Sequence, residues 1–236
     1  MSKNLIYIGN ELEIFQHAVN WKTYFSSYFK QYILGSVAEI GAGIGANIPF
    51  LINNNVDEYI CIEPDYKLVC AIQNKIDTFI LPSKVQVYHG FLKKEEVKKF
   101  NSILYIDVLE HIQNDREEIL KAYNNLNPNG YLCILVPANP GDFSAFDKSV
   151  GHFRRYNQKM IKALIPKGMN IVECKYIDSF GSFASKANKM FLKQSYPTLR
   201  QILFWDKFIV PFSSFTDKLI NYTAGKSLIM VLQKTN

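Results

Sequence analysis

The stretch "EIGAGIGANIPF" (Glu39–Phe50) places glycines at alternate positions 41, 43 and 45. Glycine inside a regular element costs roughly 0.5–1 kcal/mol relative to alanine, so three together need a reason. "SVAEI" before them is short, apolar and bounded, which suits a buried strand. "ANIPFLINNN" after them reads as a helix start with Ile48, Leu51 and Ile52 on one face, and Pro49 is tolerated only in its first turn. Strand, glycine turn and helix together place free backbone N–H groups and a positive helix end beside a crevice. A tight turn needing positive φ is the plainer reading. Three glycines exceed what a turn needs, and a nucleotide-like ligand is expected in the loop. The pattern satisfies G-x-G-x-G and also the dinucleotide variant G-x-G-x-x-A, so it does not name that ligand.

Context narrows the choice. The chain has 236 residues, of which 48% are hydrophobic and 20% charged, enough for one domain with a full core. The N-terminal stretch does not read as a signal peptide, and no apolar run approaches the roughly 18 residues of a membrane span. Cys61, Cys70, Cys133 and Cys174 show no C-x-x-C spacing, and reduced thiols in a cytoplasmic protein are expected. Net charge is +6, and residues 182–226 hold seven Lys/Arg against two Asp, so nearly all of the excess lies there. A near-neutral body argues against nucleic acid as a partner.

Residues 9–33 read as one or two aromatic-rich helices containing Trp21. Strand patterns then fall at Val37–Ile40, Tyr59–Ile62, Val85–His89, Ser102–Asp107 and Tyr131–Val136, with helix patterns near 46–54, 66–75, 94–99 and 114–126. This alternation means a parallel sheet covered on both faces. Two last strands, Ile171–Ile177 and Ser227–Gln233, are separated by about 45 residues of basic, aromatic sequence, far beyond a usual connection. Within it Ile202, Trp205 and Ile209 make a helical stripe that Pro211 is expected to end.

The second strand, "EYICIEPD", ends in Glu63, whose carboxylate can accept hydrogen bonds from both hydroxyls of a ribose. NAD and S-adenosylmethionine both use such an acid. Glu39, two residues before the first glycine, would repel a pyrophosphate and suits the ammonium and sulfonium of S-adenosylmethionine. The chain also opens with a helical segment rather than the glycine strand. Tyr222-x-x-x-Lys226, the nearest approach to a dehydrogenase pair, abuts the last strand and contains Gly225.

"VAEIGAGIG", "CIEPD", "YIDVLEHI" and "LNPNGYLCILVP" resemble, in order and spacing, the motifs of class I S-adenosylmethionine-dependent methyltransferases. The resemblance covers nearly the whole chain. It implies an α/β fold, a Rossmann-like doubly wound seven-stranded sheet with an antiparallel last strand. N-terminal helices (1–35), a cofactor-binding core (36–181 and 227–236) and an inserted helical lid (182–226) would make one domain. It implies a cofactor site of Glu39, Gly41, Ala42, Gly43, Gly45, Asn47, Glu63, Pro64, Phe91, Asp107 and Val108. Within it Glu39 and the glycine loop hold the methionine part, Glu63 the ribose, and Asp107 and Val108 line the methionine side. The family's usual Asp after the third strand is replaced by "VYHGFLKK", so adenine is expected against backbone groups and Phe91 or Leu92. "FDKSVGHFRRYN" (Phe146–Asn157) resembles a subgroup carrying G-H-x-R-R-Y after the fifth strand, often found in sugar, glycolipid or natural-product contexts.

Moving a methyl to a hydroxyl needs a proton acceptor. His111, in the "EHI" turn, and His152, in the "GHFRRY" loop, are the candidates, with a backbone-orienting role for His111 left open; His17 and His89 are expected to be structural. Arg154 and Arg155 match a carboxylate or phosphate bidentately, or else pair with Asp142 or Asp147. With Tyr156 and Trp21 they make the expected substrate side. No group of His and carboxylates has ligand spacing, so no metal-binding residues are named, and metal assistance is left open. The expected function is methyl transfer to an O or N nucleophile of a small molecule or glycan, with weak membrane-surface contact through 182–226. A nucleic-acid or protein methyltransferase and a non-catalytic cofactor-binding subunit are the alternatives. Against the former, "DVLE" stands where N-P-P-Y would.

Overall fold

Apolar runs without alternation build the middle of a sheet whose two faces are both covered. A computed structural model of the chain describes residues 7, 9, 11–182 and 197–236. The strands are β1 (Gly35–Ile40), β2 (Val56–Glu63), β3 (Val85–His89), β4 (Phe100–Ile106), β5 (Leu126–Pro137), β6 (Met169–Ile177) and β7 (Ser227–Lys234). They form one seven-stranded sheet in the order β3-β2-β1-β4-β5-β7-β6. The first five pair in parallel, and β7 runs antiparallel between β5 and β6. Every expected strand is present. Strand order reverses between β1 and β4, which opens a crevice beyond their carboxyl ends.

One face carries α2 (Val19–Phe29), α3 (Ile48–Leu51) and α4 (Tyr66–Asp77), with Trp21, Phe25, Leu51 and Ile72 packed on Val37, Leu104 and Leu135. The other carries α5 (Asp115–Asn125) and α7 (Gln158–Lys162), whose Ile119, Ala122 and Ile161 meet Ile103, Tyr105 and Ile134. The caps follow the sequence: Asp65 accepts from the Lys67 N–H at 2.7 Å, and Asn114 accepts from the Glu117 N–H at 3.4 Å. Short helices α1 (Glu11–Phe15) and α6 (Ala145–Ser149) complete this part of the chain.

Three local expectations are corrected. No helix forms over 94–99, because buried Asn125 takes up the backbone there. It accepts the Glu96 N–H at 2.7 Å and donates to the Lys93 carbonyl at 2.9 Å. The helix after the glycine loop is only Ile48–Leu51, since Asn53 turns the chain by accepting the Asn55 N–H at 2.8 Å. Pro211 does not end the late helix. Leu199–Phe204 runs into a π turn (Trp205–Ile209) and on through Val210–Leu219, with Pro211 at the start of the last piece. Widening the turn just before the proline relieves the clash with the preceding carbonyl.

This helical stretch is bolted to the body by buried acids. Asp206 accepts the N–H groups of Asn20 and Trp21 at 3.1 and 2.8 Å, capping α2 from outside. Asp217 accepts those of Asp178 and Ser179 at 2.7 and 2.9 Å. Ile202 and Val210 enter the core. The part of the expected lid that falls at 183–196 lies outside the described residues.

Candidate functional site

All three loop glycines have positive φ: 66° at Gly41, 59° at Gly43 and 71° at Gly45. The turn itself therefore demands each of them, which the plainer reading also requires. At Gly41 a second constraint appears, since an added Cβ would lie 2.7 Å from Val108 Cγ2. Gly41 thus lets the loop after β1 pack on the turn after β4, closing one wall of the crevice. Ala42 is buried at this loop.

Two carboxylates flank the loop. Glu39 is buried at the end of β1 and accepts the Tyr59 hydroxyl at 2.9 Å. Burial raises its pKa to about 7, opposed by hydrogen bonds from Tyr59 and Asn47. Glu63 accepts the Gly43 N–H and the Asp65 N–H, both at 2.9 Å. Burial raises its pKa in spite of those two bonds. Each carboxylate oxygen keeps a further lone pair for a ligand. His89, exposed at the end of β3, lies 3.0 Å from the Pro64 carbonyl. Phe91 follows Gly90 beyond β3 with its ring exposed.

Across the crevice Asp107 stands at φ +53°, its N–H held by the Leu135 carbonyl at 2.9 Å. Its side chain is open to solvent at the crevice floor, yet protein surrounds it on the other sides. That enclosure raises its pKa against the opposing fields of His152, Lys226 and Arg155. Lys226, just before β7, also lies 5.3 Å from the Trp205 ring centroid.

Beyond Asp107 the chain makes a 3-10 turn, Leu109–His111. The Phe153 N–H donates to the Glu110 carbonyl at 2.8 Å, which docks the Phe146–Asn157 block onto this turn. The two imidazoles of His111 and His152 consequently meet edge to face, centroids 4.6 Å apart. His152 Nδ1 is 3.0 Å from Asp147 Oδ1, and Nε2 is 3.9 Å from Glu110 Oε1. Asp147 also accepts from Arg155 Nε at 2.8 Å and from Ser144. Those partners overcome burial and hold its carboxyl far below the usual range. Ionised Asp147 therefore accepts from Nδ1–H and turns Nε2 toward Glu110. His111 is half-buried, and desolvation by the surrounding protein pulls its pKa down to about 4.

The remaining expected substrate residues are engaged elsewhere. Arg154 donates to the Ile112 and Gln113 carbonyls at 3.0 and 2.8 Å and pairs with Asp115 at 2.6 Å, so its fork holds the turn before α5. Tyr156 is buried, its hydroxyl donating to Asp115 at 2.9 Å. Trp21 packs on Trp205 at 5.5 Å inside the core. Sequence reasoning offered Asp147 only as an arginine partner, which Arg155 confirms, and did not single out Glu110, Tyr7 or Leu12. Tyr7 donates its N–H to Asp65 at 2.7 Å and its ring lies 6.0 Å from His111, while Leu12 reaches toward Gly43. Tyr7 and Leu12 thus lie across the mouth of the crevice.

The crevice at a β1/β4 switch point, in a sheet closed by an antiparallel β7, defines the class I S-adenosylmethionine-dependent methyltransferase fold. Residues 25–235 match the family described as a methyltransferase domain, and the chain belongs to it. Among solved structures it is similar to an S-adenosylmethionine-dependent methyltransferase from Clostridium acetobutylicum, with TM-score 0.58, 8% identity and 92% of each chain covered. It is also similar to the YcgJ protein from Bacillus subtilis, with TM-score 0.59, 13% identity and 92% and 99% of the two chains covered. A third similar structure is the (4+2)-cyclase SpnF, with TM-score 0.61, 13% identity and coverage of 92% and 80%. At these identities the likeness concerns the fold. No curated protein sequence matches the chain.

Proposed function

We propose that this chain is an S-adenosylmethionine-dependent methyltransferase acting on an O or N nucleophile of a small molecule, with an anionic, partly apolar sugar, glycolipid or natural-product intermediate as the acceptor class. The observation that carries this reading is the pairing, across one switch-point crevice, of two buried carboxylates on a glycine loop with a histidine oriented by an ionised aspartate. The residues fit the cofactor: buried Glu39 suits a cationic methionine end, and Glu63 keeps acceptor capacity for ribose hydroxyls. When bound, S-adenosylmethionine supplies a methyl group on a sulfonium, so the protein's task is alignment and activation of the acceptor. Val108 and Asp107 border the methionine side. His152 Nε2 acts on the acceptor's O–H or N–H, and Asp147 keeps the ring in the required tautomer. Arg155, next to both, supplies positive charge for an anionic group. Residues 182–226 are proposed as the substrate-side insertion, with its basic, aromatic surface meeting a lipid membrane weakly.

The decisive experiment is incubation with methyl-labelled cofactor and a metabolite extract, read by mass spectrometry. A folded protein that binds S-adenosylmethionine but labels nothing would favour the non-catalytic reading.

Glu63→Ala is expected to weaken S-adenosylmethionine binding about tenfold or more. The change removes hydrogen bonds to ribose and also leaves the Gly43 and Asp65 N–H groups without their acceptor, a loss of roughly 1–3 kcal/mol. Calorimetry checks it, with NAD as the ligand expected not to bind. Unchanged affinity in the variant, or tight NAD binding, overturns the assignment.

Glu39 gives a pH signature. Its pKa of about 7 means the carboxyl is largely protonated below neutrality, while a cationic ligand favours the carboxylate. Binding should therefore release a proton, and affinity should fall as pH drops from 7 toward 5.5. Calorimetry in buffers of different ionisation enthalpy reads both effects. A pH-independent affinity over that range would show that Glu39 does not face the cationic end.

A further inference from the structure

Glu110, His111 and His152 each offer a ligand atom, and the three atoms lie within 4.8 Å of one another. Sequence spacing hides this group, because His152 arrives from a separate loop far along the chain. Three observations point to what it holds.

The first is Glu110. Its side chain is 1% exposed, and both carboxylate oxygens are buried with no hydrogen-bond partner among the described residues. A buried carboxylate is costly unless it is paired, hydrogen-bonded or bound to a metal. Protonation would not resolve this, since the new O–H would itself need an acceptor. The nearest cationic candidate, His152 Nε2, stays 3.9 Å away, too far for a hydrogen bond.

The second is the arrangement behind His152. Its Nδ1 is 3.0 Å from Asp147 Oδ1, and Asp147 is in turn fixed by Arg155. A carboxylate on the far ring nitrogen is the arrangement that orients metal-ligating histidines. It aims the Nε2 lone pair at the space between Glu110 and His111.

The third is the donor set. Two imidazoles and one carboxylate suit Zn²⁺, Mn²⁺ or Fe²⁺ rather than Ca²⁺ or Mg²⁺, and three protein ligands leave positions open for exogenous oxygens. Shifts of less than about 1 Å per side chain would bring the ligands to bonding distances of about 2.0–2.2 Å.

We propose that Glu110, His111 and His152 bind one divalent transition-metal ion, beside the crevice where the acceptor is to react. The proposal goes beyond methyl transfer and rests on this cluster alone. An ion there would lower the pKa of a hydroxyl bound to it, the proton leaving to solvent. His152 would then act on the acceptor through the ion instead of taking its proton directly.

The test uses the full chain, stripped with a chelator and dialysed against ZnCl₂ or, separately, MnCl₂, with bound metal counted by plasma mass spectrometry. About one ion per chain is expected, with a higher Tm in the loaded protein. Glu110→Gln and His152→Ala should each weaken binding at least about tenfold, whereas His17→Ala, at an exposed position, should bind like the wild type. Circular dichroism confirms folding, and His111→Ala replaces any variant that does not fold. No ion retained by the folded wild type, or undiminished binding in the folded cluster variants, overturns the proposal. Cofactor binding is measured separately by calorimetry. Loss of that reading with metal stoichiometry intact would leave the ion site standing.

Discussion

His152→Ala should lower the rate of methyl transfer by roughly 10²–10⁴, the range typical of a positioned proton-transfer group. S-adenosylmethionine affinity should change little. The contacts of His152 are Asp147, Glu110 and His111, all on the acceptor side of the crevice, and none lies on the glycine loop or β2. The side chain is 11% exposed, so its loss opens a small polar gap rather than a core cavity. Single-turnover rates, with affinity measured in parallel, separate the two quantities. A variant that loses cofactor binding while keeping its residual chemistry would place this loop on the wrong side of the site. The same variant links to the metal proposal. A large rate loss in a protein that never binds an ion would make His152 a bare base; one accompanied by loss of bound metal would make it a ligand.

The sheet was legible because each strand is an apolar run with its own stops. Val85–His89 was read to the residue, since Pro82 and Gly90 bracket it. Glu39, the glycines and Glu63 were legible for the same reason: a strand end, a turn and a strand end are local features. The helix expected at 94–99 failed because its backbone bonds go to Asn125, an asparagine that no local pattern connects to it. Trp21 was placed with the substrate because an aromatic on an N-terminal helix says nothing of its partner, and that partner, Trp205, lies at the other end of the chain. The acceptor side was half legible. His111 and His152 stood out singly, but their meeting depends on the Phe153 N–H reaching the Glu110 carbonyl, a tertiary contact. Asp147 was visible only as a possible arginine partner, and its role on His152 emerges once α6 brings the two together.

Replacing Phe208 and Phe212 together by aspartate should abolish association with anionic vesicles while leaving the fold intact. The helical stretch Leu199–Leu219 is inverted relative to an ordinary surface helix. Its inward side presents Asp206, Ser213 and Asp217, buried with Ile202 and Val210. Its outward side presents Phe204, Phe208, Phe212, Phe215 and Leu219, each 49–70% exposed. The spacing keeps these five on one face, so they form a stripe and not scattered surface residues. Arg200, Lys207 and Lys218 lie along the same stretch, and an anionic lipid surface is the partner proposed for it. A half-exposed phenylalanine that becomes buried gains about 1 kcal/mol, part of the roughly 1.5–3 kcal/mol for full burial. Two such losses, with added negative charge, reduce binding by more than about tenfold. Sedimentation with anionic and with neutral vesicles measures this, and the wild type should bind the anionic ones better and lose the difference in high salt. Phe212 also packs edge to face on Phe180, centroids 4.8 Å apart, so circular dichroism checks that the double variant keeps its fold. Equal sedimentation with both vesicle types would remove the electrostatic contact. A concentration-dependent increase in mass by light scattering, absent in the double variant, would assign the stripe to a second copy of the chain instead.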